Sequence, residues 1–234
     1  MRLDPDWRAP WFAPYRDVAA PVLARLAAGQ PVADALGDPR FEPAGPRMTG
    51  YEQHVAATGR VPTRDNAHDL FNGLVWLRCP AFKATLNRAH ISAPPAAPGR
   101  RGAVRDALTL LDESGLLLAA PPVLRQALRE QDWPALFITQ RELWHDARVL
   151  VVGHALLEKL LTPRAGLCAR VLLVDDLEAP SLPAGLTPAA LPPLPVLGIP
   201  GWWPANASPA FYANEQVFRP KRLASSPALG GRAC

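Results

Sequence analysis

His68 and Asn72 stand four residues apart, and Asn87 and His90 three apart, in the stretch RVPTRDNAHDLFNGLVWLRCPAFKATLNRAH at residues 60–90. On a helix each pair shares one face, and Asp69 lies beside His68. Imidazole nitrogen and carboxylate oxygen both donate lone pairs to a divalent cation. His68, Asp69 and His90 are therefore the candidate metal ligands, with Asn72 and Asn87 as candidate substrate contacts. The same residues also suit a local role, in which Asn66 and Asp69 cap a helix start and His68 bonds to its neighbours.

A second group lies in GHALLEKL, where His154 and Glu158 are one helical turn apart after an apolar strand-like run. Helix starts beside strand ends are frequent positions for sites in α/β units. A glutamate one turn from a histidine can share a metal with it, or orient it as a general base. The offset is not that of the HExxH zinc motif, which needs a second histidine. The bland alternative is a solvent-facing His154 with Glu158 in a surface ion pair.

A third group is RRGAVRDALTLLDESG, ending in Asp112 and Glu113. These carboxylates join His154 and Glu158 as candidate catalytic groups. Arg100, Arg101 and Arg105 are candidates to receive a phosphate, because guanidinium matches it with paired hydrogen bonds. Turn chemistry at DESG and anchoring ion pairs would equally account for these residues. No GxSxG, P-loop or GxGxxG sequence stands in a usable context, and Cys79, at a helix end, has nothing beside it to activate its thiol.

The elements that must position these groups are mostly helical. Residues 15–29 and 49–59 read as helices stopped by Gly29 and Gly59. PTRDNAHDLFNGLVWLRCP reads as a helix that Pro80 ends, and AFKATLNRAH as the next one. For RDALTLLDESGLLLAA the pattern suggests a hairpin near 107–119, although a helix through Leu111 closed by Gly115 is nearly as good. PVLRQALREQDW and PALFITQRELWHD read as helices opened by proline. Strands near 147–152 and 168–174 flank the GHALLEKL helix. The Pro-rich stretch 180–220 holds Trp202, Trp203, Phe211, Tyr212 and Phe218, aromatics too costly to leave in water, so it reads as an arm wrapped over the domain. The fold class is α+β: a mainly helical single domain over residues 1–220 with a small sheet, followed by a flexible tail at 221–234.

With 234 residues, 49% of them hydrophobic, the chain can bury a sizeable core. The 28 prolines are more than twice the usual share of roughly 5%, so stiff, irregular connections are expected. A formal charge of +4 permits nucleic acid or a phosphate-containing small molecule as partner, but no block of basic residues marks a nucleic-acid arm. The cysteines are far apart and never paired as CxxC, which argues against a disulfide framework or a cysteine zinc site and for a reducing compartment. MRLDPDWRAPW lacks the apolar stretch of a secretory signal, and VLVVGHALLEKLL is too short and too polar to span a bilayer. A cytoplasmic location without membrane partners is the expectation.

Four stretches together, PTRDNAHDLFNGLVWLRCPAFKATLN, GRRGAVRDALTLLDESG, GHALLEKL and PLPVLGIPGW, resemble a bacterial family of uncharacterised proteins, mainly proteobacterial and known by a domain-of-unknown-function label. The resemblance covers about residues 47–220. It implies a free-standing cytoplasmic bacterial protein and assigns no activity and no residue role.

Three functional readings follow. The first is a hydrolase that uses a divalent metal on a phosphate-containing substrate, the ion polarising the phosphoryl oxygen and activating water. The second is a non-enzymatic nucleic-acid or protein-binding scaffold. The third is a metal-free small-molecule enzyme with His154 and Glu158 as an acid–base pair. A cleft that joins His68 to His154 favours an enzyme; wide separation with a continuous basic face favours binding.

Overall fold

The computed structural model describes residues 5–45, 50–94, 102–219 and 221. After a short 3-10 turn come α1 (Arg16–Ala27), α2 (Val32–Ala35), β1 (Phe41–Pro43), α3 (Tyr51–Thr58) and β2 (Val61–Thr63). Then follow α4 (Ala67–Arg78), α5 (Pro80–Ser92), α6 (Ala103–Ser114), β3 (Gly115–Ala119) and α7 (Pro122–Glu130). The last regular elements are β4 (Arg148–Val151), α8 (His154–Lys159), β5 (Cys168–Leu173) and β6 (Pro193–Pro195). The fold is α+β.

Local chemistry explains the boundaries that matter for the site. α4 starts where the Asn66 side chain accepts from the backbone N–H of Asp69 at 2.7 Å, satisfying a donor that the first turn otherwise leaves free. Pro80 then ends α4 and opens α5 at a position where a missing N–H costs nothing. Leu70, Phe71, Leu74 and Val75 bury one broad face of α4, and Phe82 and Leu86 bury the matching stripe of α5. α3 stops at Gly59, whose φ of +67° suits a residue without a Cβ.

Four strands form a sheet in the order β4-β3-β5-β6, and β1 pairs with β2 in a small parallel ladder. β3 lies antiparallel to β4, with Leu117 opposite Leu150, and parallel to β5, with Leu117 opposite Leu172. Every residue of β3 is buried, as expected of a central strand covered on both faces. β6 closes one edge of the sheet, pairing Leu194 with Ala169.

The hairpin expected near 107–119 is not formed. Ala107, Leu108 and Leu111 bury one helical face, so α6 runs to Ser114 and passes into β3 without a loop. Asp112 and Glu113 consequently sit in the last turn of a helix rather than at a hairpin tip. The stretch expected as one helix after Pro134 is a wide turn at Ala135–Thr139 followed by a 3-10 segment at Arg141–Asp146. The strands expected near 147–152 and 168–174 are β4 and β5; β1, β2 and β6 had no clear strand pattern, each being three residues long with proline in it.

The Pro-rich region packs onto the domain. Leu191, Leu194, Val196 and Leu197 are buried, and Tyr212 and Phe218 stack around Phe137 and Trp133. Apart from Lys221, the expected tail lies outside the described residues. Among the described residues, no helix is long and apolar enough to cross a membrane.

Candidate metal centre

Three elements deliver the site. His68 projects from the first turn of α4, Glu113 from the last turn of α6, and His154 is the first residue of α8. α6 and α8 meet through two glycines. The backbone N–H groups of Val152 and Gly153 both donate to the Gly115 carbonyl, at 2.9 and 2.8 Å. A Cβ built on Gly153 would lie 2.4 Å from the Gly115 nitrogen and 2.5 Å from the Ser114 Cα. Neither glycine has a positive φ, so the requirement is space: only bare backbone lets the start of α8 come this near the end of α6. That approach places His154 against Asp112 and Glu113.

The two imidazoles face each other through their Nε2 atoms, 2.9 Å apart, with ring centroids 4.4 Å apart and planes at 78°. Glu113 Oε2 lies 3.8 Å from His154 Nε2. One ligand atom from each of His68, Glu113 and His154 falls within 4.8 Å of the others. Two nitrogens bound to adjacent positions of one ion at ~2.05 Å stand roughly 2.9–3.4 Å apart, so the imidazole pair already has a chelating separation. A rotation of the Glu113 side chain would bring in the third atom.

The far sides of both rings meet carboxylates. His68 Nδ1 is 3.1 Å from Glu158 Oε2, and His154 Nδ1 is 3.8 Å from Asp112 Oδ2. His154 is 4% exposed, and its Nδ1 makes no hydrogen bond among the described residues. Burial pushes the His154 imidazole down to about 4, against the pull of the Asp112 carboxylate. The ring is thus neutral at neutral pH, the state that ligates metals. Burial also raises the Glu113 carboxyl, with His68 opposing it.

Asp112 is held from the other side by the ammonium of Lys83, which is 3% exposed and sits 5.7 Å over the Trp76 ring. Burial works against ionisation of both groups, yet their mutual attraction prevails: the carboxyl lies below and the ammonium above its ordinary value.

The structure brings together His68 and His154 with Asp112, Glu113 and Glu158, which the sequence offers as members of separate groups. Asp69 does not join them. Its carboxylate accepts from the Arg64 backbone N–H at 2.7 Å and from the Arg64 guanidinium at 2.9 and 3.0 Å, so it caps α4 instead of facing the histidines. His90 lines a small cavity with Tyr51, Lys83 and Asp112 and is not among the clustered ligand atoms of His68, Glu113 and His154. Asn72 donates to the Tyr51 hydroxyl at 3.1 Å, and Asn87 donates to the Glu52 carbonyl at 3.0 Å and carboxylate at 2.5 Å; both serve packing between helices. Arg105 is exposed on α6, whereas Arg100 and Arg101 lie outside the described residues.

Lys83 is the residue that sequence reasoning passed over. Its signal is present: Lys83, Leu86 and Asn87 recur at helical spacing on the stripe that α5 buries, and an ammonium in such a stripe demands a partner.

A family model described as a protein of unknown function, DUF3025, matches residues 42–185 and 175–222. No curated protein and no solved structure matches the chain.

Proposed function

For this chain, which belongs to the DUF3025 family of proteins of unknown function, we propose a divalent-metal hydrolase whose ion is held by His68, Glu113 and His154. The observation that carries the proposal is the pairing of the two Nε2 atoms at 2.9 Å, with a carboxylate behind each ring. A carboxylate at Nδ1 favours a proton there and leaves the Nε2 lone pair for the metal.

Three protein ligands leave coordination positions for water and substrate, the arrangement of catalytic rather than structural ions. His68 and Glu113 are partly exposed, with side chains 35% and 45% accessible, so the ion would have an open face. Bound there, the metal supplies a water of lowered pKa and a Lewis acid for the scissile centre. Glu158 holds His68 in orientation through its bond to Nδ1, and the Asp112 carboxylate stands 3.8 Å behind His154 Nδ1.

A phosphoester is the substrate class that suits the surroundings. The chain carries a formal charge of +4, and Arg105 is exposed on α6, two turns or about 12 Å along the helix from Glu113.

The test is metal content followed by turnover. Untagged protein, together with folded His68→Ala, Glu113→Gln and His154→Ala variants, is loaded with Zn²⁺, Mn²⁺ or Co²⁺ and assayed against phosphomonoesters and phosphodiesters. The expected result is one ion per chain, lost in each variant along with hydrolysis. Wild-type protein that takes up no ion from any of the three solutions overturns the proposal.

The continuous chain His154–His68–Glu158 favours one alternative, a metal-free enzyme in which Glu158 orients His68 as a base. Hydrolysis that survives exhaustive chelation would select it. The direct contact of His68 with His154 weighs against a scaffold with dispersed polar caps.

A further inference from the structure

Lys83 raises the question of why an ammonium is buried at all. Taking it out of water costs several kcal/mol, and a hydrophobic residue of its size generally packs at least as well. Among the described residues its hydrogen-bonded carboxylate partner is Asp112, and Asp112 is the group whose other oxygen faces Nδ1 of His154.

The two histidines are supported differently. The outer carboxylate of His68 is Glu158, a side chain 39% accessible that bonds directly at 3.1 Å. Water competes for it, and the torsions of a surface glutamate are free to change. The outer carboxylate of His154 comes from a helix end in the interior, where it is 18% accessible and held by a buried lysine that lines a small cavity with Tyr51, Glu52, Trp76, Leu86, Asn87 and His90. Left alone beside a buried imidazole, Asp112 would be free to turn toward solvent, and that change would remove the carboxylate that faces Nδ1.

We infer that Lys83 is a positioning residue for the proposed metal centre: its ammonium fixes Asp112 in the rotamer that presents Oδ2 to His154 Nδ1, so that His154 offers Nε2 to the ion. The inference rests on the metal reading above and extends it to a residue that touches neither metal nor substrate. The relay is Lys83 Nζ to Asp112 Oδ1, Asp112 Oδ2 to His154 Nδ1, and His154 Nε2 to the ion. Removing an outer partner of a ligating histidine typically weakens metal binding by 10- to 100-fold.

The experiment measures Co²⁺ affinity and the Co²⁺ visible absorption spectrum in wild-type, Lys83→Met, Asp112→Asn and the Lys83→Met/Asp112→Asn pair, with His154→Ala as the site control. The double variant removes both charges together and covers the case in which Lys83→Met alone fails to fold around an unpaired carboxylate. Folding of each protein is read from its metal-free melting curve. The expected result is a Co²⁺ affinity roughly 10- to 100-fold weaker in Lys83→Met, Asp112→Asn and the double variant, with a changed spectrum in each. Wild-type affinity and spectrum in a folded Lys83→Met would overturn the role of Lys83. The double variant should be no weaker than Asp112→Asn, because the two residues act through one atom of His154. Wild-type affinity and spectrum in the double variant would overturn the relay while leaving the metal centre standing. Wild-type protein that binds no Co²⁺ would instead overturn the metal reading and the relay with it.

Discussion

The backbone of Gly153 lies against that of Gly115, and this contact decides how near His154 stands to Glu113. The two glycines are far apart in sequence, and each has a backbone conformation that any residue adopts, so the pair is a spacer set to zero thickness.

Gly153→Ala should therefore injure the site and the fold together. The new methyl would meet backbone atoms at 2.4–2.6 Å, which no rotamer change relieves. A loss of about 1–3 kcal/mol in stability is expected, with a fall in Co²⁺ affinity measured at a temperature where the variant remains folded. Unchanged affinity would mean that the separation of α6 and α8 does not govern the ligand set.

Asp69 gives a contrast with the three proposed ligands. His68→Ala, Glu113→Gln and His154→Ala should each weaken metal uptake by at least about 100-fold, because each removes one of only three protein ligands. Asp69→Asn should leave uptake intact and lower the melting temperature instead, since it weakens the bond to the Arg64 backbone and the cap of α4. With Arg64 largely exposed the cost should be modest, about 1 kcal/mol.

The depressed His154 pKa predicts an acid-side loss of stability in the metal-free protein. In the unfolded chain the imidazole takes a proton near its ordinary 6.5, whereas in the folded chain it does so only at about 4. Between these values the unfolded state binds more protons, so stability is full above about pH 6.5 and falls as pH drops toward 4. The contribution is at most about 3 kcal/mol. Urea midpoints recorded from pH 7.5 to 4.5 should decline, and His154→Gln should flatten part of that decline. Parallel curves for the two proteins would remove His154 as the cause.

Tyr15 supplies a prediction away from the site. Its hydroxyl donates to the Val151 carbonyl at 2.5 Å, tying the segment before α1 to the end of β4. Tyr15→Phe should cost about 1 kcal/mol in denaturant unfolding while Co²⁺ affinity stays as in wild type. A matching loss of affinity would show that this tie also sets the position of α8.

Much of the helical framework is legible in the sequence because its punctuation is local. Asn66 starts a helix, Pro80 separates two, and Gly59 stops one. The apolar spacing of Leu70, Phe71, Leu74 and Val75 states which face is inward. The turn-like DESG misleads because Asp, Ser and Gly also suit a helix terminus, and only the burial of Ala107, Leu108 and Leu111 decides between them. His68, Glu113 and His154 are all visible as chemically able residues. Their convergence is not, for it depends on the bare-backbone meeting of Gly115 with Gly153 and on β3 taking its place between β4 and β5. Neither has a counterpart in local spacing. Asp69 and His90 attract attention for the opposite reason, Asp69 by adjoining His68 and His90 by sharing a face of the next helix with Asn87, but their side chains lie against Arg64 and the Lys83 cavity.

The outermost strand of the larger sheet carries a consequence for how two copies of the molecule can meet. Val196 donates to Leu167 and Pro192 accepts from Val171, so the even-numbered positions of this strand face inward, with Leu194 opposite Ala169. The outward positions are Pro193 and Pro195, which have no N–H to offer. A neighbouring chain that approached this margin would meet half-buried Pro193, which has no donor to extend the ladder, while Pro195 is already buried within the molecule. The sheet is closed there to edge-to-edge aggregation by the chemistry of one residue and the burial of another.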